Sequence, residues 1–121
     1  MKWNEDIKDL IELQLFNAIN LFKLEKNEAT TWHKLYAIVN AILMPIRECG
    51  IVADFKIVCD EKVNDQEAID ANELHMQIGL KMETGARYSP YHFCLCLNDM
   101  GITTMIPPDM LDKEYDFVNV E

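Results

Sequence analysis

Apolar residues recur along this chain at two different periods, and the change of period divides it. Ile7, Leu10, Ile11, Leu15, Ala18, Ile19 and Phe22 return at steps of three and four. That spacing gathers them on one broad stripe of an α-helix. Asn4 is placed to cap this helix, with Glu5 and Asp6 in the first turn, where the helix dipole favours acidic groups. The polar run Glu25-Lys26-Asn27-Glu28 interrupts the pattern. A second helix follows, with Thr30 or Thr31 as its cap and Trp32, Leu35, Tyr36, Ile38, Val39, Ile42, Leu43 and Ile46 as its stripe. Pro45 removes a backbone donor and is expected to kink or loosen the last turn. Gly50 is well placed as the C-terminal cap. So short a connection predicts that the two helices run antiparallel and side by side.

From Ala53 the period becomes two. Ala53, Phe55, Ile57 and Cys59 share one face of a predicted strand, and Leu74, Met76, Ile78, Leu80 and Met82 share one face of the next. Between them runs a long polar loop, Asp60 to Asn72, with Ile69 as its apolar anchor. A turn-rich connection, Glu83 to Pro90, leads to a third alternating run, Tyr91 to Leu97. Asn98-Asp99-Met100-Gly101 signals a turn. Ile102 to Ile106 reads as a short fourth strand, stopped by Pro107-Pro108. Two helices followed by three or four antiparallel strands predict an α+β fold, with the helices covering one sheet face.

The chain then divides into a domain over residues 1–108 and an acidic arm over residues 109–121. The arm holds one β-prone run, Tyr115-Asp116-Phe117-Val118. Either it frays, or Tyr115, Phe117 and Val118 belong to a strand added to a neighbouring subunit's sheet. Leu13 and Phe16 pose a similar choice. They lie three apart on the polar side of the first helix, as scattered surface apolar groups or as a contact face for a partner subunit.

At 121 residues the chain is one domain in length. It carries 11 basic and 21 acidic residues, a net charge of −10. Nucleic-acid binding needs clustered cations, so it is not expected, and basic protein partners are favoured instead. No apolar run is long enough to cross a membrane, and the first residues lack a signal peptide's apolar core. The expectation is a chain that stays in the cytoplasm where it is made.

Cys49, Cys59, Cys94 and Cys96 do not match a zinc pattern, which usually supplies two spaced pairs of ligands. They read as reduced structural thiols, and no metal or cofactor is expected. His75, His92, Cys94 and Cys96 lie on the polar faces of their strands, and His75 and His92 become neighbours if those strands pair. A thiol beside an imidazole can act as a nucleophile, but no third orienting group or oxyanion loop accompanies it. Asp60 and Asp70 bracket the loop without the ligand spacing of a calcium site. Their carboxylates, with Asn64 and Asn72, are expected to bond backbone groups locally.

One stretch resembles a known family. Gly50, Phe55, Cys59-Asp60, Asn64, Ile69-Asp70 and Asn72-Glu73-Leu74 resemble, in order and spacing, the C-terminal domain of contractile-tail sheath proteins of phages and related injection machines. Upstream, Asn27 and Thr31-Trp32 fit the same pattern, so the resemblance runs from Ile7 to Met82. It implies a structural, non-enzymatic subunit that joins rings or helical stacks by docking helices and exchanging strands. Its partners would be other sheath-like, tube or baseplate proteins, and its final location the virion tail, after assembly in the host cytoplasm. Two departures stand out. Met82 replaces the family's usual Pro, and Met1 lies immediately before the first helix, where sheath proteins carry further domains. These point to a minor or reduced sheath component. Two other classes remain open at this level: an acidic inhibitor or adaptor that mimics nucleic acid, and a small cysteine-dependent enzyme.

Overall fold

The computed structural model describes residues 4–82, 88–97 and 103–106. The chain forms α1 (Glu5–Asn20), α2 (Ala29–Glu48), β1 (Asp54–Val58), α3 (Gln66–Asp70), β2 (Glu73–Lys81), β3 (Tyr88–Cys96) and β4 (Thr103–Ile106). The four strands make one antiparallel sheet in the order β1-β2-β3-β4. The α+β expectation holds, with a third, short helix that no periodicity announced. Five residues are too few for a helical repeat to show.

Asn4 caps α1 as predicted, its Oδ1 accepting from the Ile7 amide at 2.9 Å. α2 departs from expectation at its start. Glu28 occupies the cap position without a side-chain bond, and Thr31 is buried inside the helix. Pro45 sits in the last turn and the helix runs on to Glu48. Gly50 then takes φ +85°, with its amide bonded to the Arg47 carbonyl and the Ile51 amide to that of Ile46. This is a Schellman closure, and its left-handed residue favours glycine.

The core is built from Ile11, Leu15 and Ile19 of α1, Leu35, Val39 and Leu43 of α2, and the inward residues of the sheet. Those inward residues are Ile57, then Leu74, Met76, Ile78 and Leu80, then Tyr91, Phe93 and Leu95. The predicted alternation therefore fixes the correct face in all three strands. Burial deepens into β1, from exposed Ala53 just before it through half-buried Phe55 to Ile57. Three residues assigned to helix stripes are exposed instead: Leu10, Tyr36 and Ile38. A helix turns about 100° per residue, so the margins of a wide stripe leave a narrower contact seam.

β3 begins at Tyr88, three residues before the predicted strand, and includes Pro90 opposite Gly79. A proline cannot donate to a ladder. β4 pairs only with the stretch from His92 to Leu95, so Pro90 lies where β3 has no described neighbour on that side.

Candidate functional site

The helices cover one face of the sheet, and polar chemistry collects on the other. The register sets Glu73 opposite Cys96, His75 opposite Cys94 and Gln77 opposite His92. Alternation sends all six side chains to the face away from the main core. There His75 Nδ1 lies 2.8 Å from His92 Nε2, and His75 Nε2 lies 3.2 Å from Glu73 Oε2 and 3.8 Å from Cys94 Sγ. The expected meeting of His75 with His92 is thus realised, with Cys94 beside them. Glu73 was not foreseen as a member, because the predicted strand begins at Leu74, whereas β2 begins at Glu73 and sets it two residues from His75 on the same face.

Two asparagines hold this strand end in place. β1 stops at Val58, opposite Gln77, so the first residues of β2, Glu73 to Met76, have β3 on one side and no strand on the other. Asn64 substitutes for one. Its Oδ1 accepts from the His75 amide at 2.8 Å, and its Nδ2 donates to the His75 carbonyl at 2.8 Å. A side-chain amide thereby copies both bonds of a β-bridge. Asn27 donates from Nδ2 to the Glu73 carbonyl at 2.7 Å and accepts from the Trp32 indole. The Asn64 role corrects the expectation of a purely local loop contact.

The other loop residues divide. Asp60 accepts from the Lys62 amide at 2.9 Å, as expected. Asp70 instead accepts from the Gln66 side chain, and Asp65 supplies the cap of α3. Ile69 packs against the core, and Asn72 adopts φ +56° while its carbonyl accepts from the Leu97 amide. Cys59 is buried and free, and burial beside Asp60 pushes its thiol up to about 12.

The cluster borders a cleft of about 340 Å³ between α3 and β2, lined by Val63, Asp65, Ala68, Glu73 and His75 among others. Burial pushes the Cys94 thiol up to about 11, helped by Glu73 and Cys96. That is the reverse of the depressed value a cysteine nucleophile needs. Burial, with the neighbouring His75, lowers the pKa of His92.

The second candidate surface is apolar. Leu13 is 55% exposed, Leu10 56% exposed and Phe16 half-buried, so the far side of α1 carries a connected apolar strip. Leu21 and Leu24, 79% and 71% exposed, extend it into the turn that follows. Tyr115, Phe117 and Val118, and with them the predicted arm, lie outside the described residues. Among the described residues no helix is long and apolar enough to cross a membrane.

The chain is similar to the tail sheath protein of Vibrio phage KVP40, with 26% identity over 98 residues. Those residues are 81% of this chain and 15% of the phage protein. No protein-family model and no solved structure matches the chain.

Proposed function

We propose that this chain is a structural, sheath-like subunit of a contractile phage tail or a related injection machine, and that it assembles by docking helices and exchanging β-strands between neighbours. The similarity to a tail sheath protein across 81% of the chain carries the reading. Because that similarity spans 15% of the relative, the proposal concerns one module of a sheath rather than the whole of it.

Physical features of the molecule agree with such a role. The strip of Leu10, Leu13 and Phe16 offers a helix face to a partner. Among the described residues no strand pairs on the outer side of β1 or β4, so both edges can accept an added strand. The net charge of −10 suits a partner with basic patches, such as a tube, sheath or baseplate protein. Several positions that carry the family resemblance hold the fold. Gly50 closes α2, Asn27 and Asn64 hold β2, and Ile69 anchors the loop.

The reading is tested by adding the double variant Leu13→Ser with Phe16→Ser to cells producing the tail. The wild-type chain is expected to sediment with tail particles, and the variant to remain folded but in the soluble fraction. A wild-type chain that stays monomeric and never sediments with particles overturns the proposal. Its recovery instead on a basic, nucleic-acid-binding protein would favour an acidic inhibitor.

A further inference from the structure

We infer that the outer face of the sheet carries a zinc-class metal site, formed across strands β2 and β3 by Glu73, His75 and Cys94, with Cys96 as the fourth donor. The geometry is that of two short pairs facing each other. Glu73 and His75 lie two apart on β2, Cys94 and Cys96 two apart on β3, and the register sets Glu73 against Cys96 and His75 against Cys94. A single Cys-x-Cys pair is not a metal signature, but the pairing supplies the missing second pair from a distant part of the chain.

The distances fit an ion. Zinc bonds of about 2.0–2.3 Å arranged tetrahedrally separate nitrogen from oxygen by about 3.4 Å and nitrogen from sulfur by about 3.6 Å. Here His75 Nε2 stands 3.2 Å from Glu73 Oε2 and 3.8 Å from Cys94 Sγ. One donor atom from each of Glu73, His75 and Cys94 lies within 4.8 Å of the others. Cys96, across from Glu73 in the register, would complete the set by a rotation of its side chain. Thiolate with imidazole selects zinc or cobalt over magnesium and calcium, which prefer oxygen.

The surroundings are those a metal-bound histidine uses. In one of the two tautomers that fit the cluster, His75 Nδ1–H donates to His92 Nε2 at 2.8 Å, leaving Nε2 as a lone pair aimed at Glu73 and Cys94. Asn64 fixes the His75 backbone and Asn27 fixes that of Glu73, so two of the ligands sit on an immobilised strand end. A bound ion would staple β2 to β3 on the face that the helices leave open.

The test uses the full chain, reduced and stripped of metal, titrated with Co²⁺ and then Zn²⁺. The expected result is about one equivalent of Co²⁺ bound with thiolate-to-cobalt absorption and tetrahedral visible bands, both removed by Zn²⁺. Zinc should also raise the melting temperature. His75→Ala and Cys94→Ser are each expected to weaken zinc binding by about 100-fold or more, and His92→Ala by about 10–100-fold. Cys49→Ser, on an exposed thiol remote from the sheet face, should bind as the wild type does. The wild-type spectrum decides without any variant, since absence of thiolate–cobalt absorption overturns the proposal. So does absorption that survives in Cys94→Ser and disappears in Cys49→Ser. Neither result bears on assembly into a tail, which is read from particles.

Discussion

Asn64 is 1% exposed, and its amide bonds the Asp60 carbonyl and both backbone groups of His75. Alanine there would leave a buried strand end without partners. The expected cost is about 2–4 kcal/mol, measured by denaturant unfolding. Asn72→Ala should cost less, about 1 kcal/mol, since it loses only the residue type that tolerates a left-handed backbone. Thiol labelling separates the cysteines in the same way. Exposed Cys49 should react at once in the native protein, while Cys59, with its thiol raised to about 12, should react only on unfolding. Asp54 gives a pH prediction. It accepts from the Tyr88 hydroxyl and pairs with Arg47 at 3.3 Å, which together lower its pKa from 3.8. A lowered folded pKa means stability that is present above the unfolded value and lost as pH falls through the folded one. Asp54→Asn should therefore flatten the stability profile below pH 3.8. The carboxylate is 42% exposed, so the difference stays under about 1 kcal/mol. At this scale the sequence was least legible. Asn64 looked like any loop asparagine, because its partner lies 11 residues away and only the folded chain brings them together.

Among the elements, the alternation of β1 was legible and makes a sharp contrast. Ile57 points into the core, whereas Lys56 lies over the Tyr88 ring on the other face, 4.7 Å from its centre. Ile57→Asp should prevent folding, because it buries an unpaired charge. Lys56→Asp should cost about 1 kcal/mol, the value of an exposed cation–π contact. Equal loss in the two, by thermal melts, would mean that the strand phase is reversed. The helices were legible in position but too generous in width. Leu10, Tyr36 and Ile38 fit the period yet lie outside the seam, since the period reports a face and not how much of it another element covers. α3 was missed because its signal is a cap and one turn. Asp65 is the residue that could have announced it.

For the molecule as a whole, sequence order foretold the α+β layering, and the polar cluster only in part. His75 and Cys94 were on the expected face, but their meeting depends on strand register, and Glu73 joins them because β2 starts one residue earlier than the alternation suggested. No local pattern encodes a cross-strand pairing between residues about twenty positions apart. The assembly reading belongs to this scale too. Removal of residues 109–121 is expected to leave a folded domain that no longer joins particles. A truncated chain that fails to fold would make the arm part of its own sheet. The account's central claim, that this chain is built into a phage tail, is met most directly by quantitative mass spectrometry of purified tail particles from the source that encodes it. The predicted result is the chain present in the tail fraction at a fixed ratio to the tube protein. Intact tails without it, with the chain confined to the soluble fraction, would contradict the account.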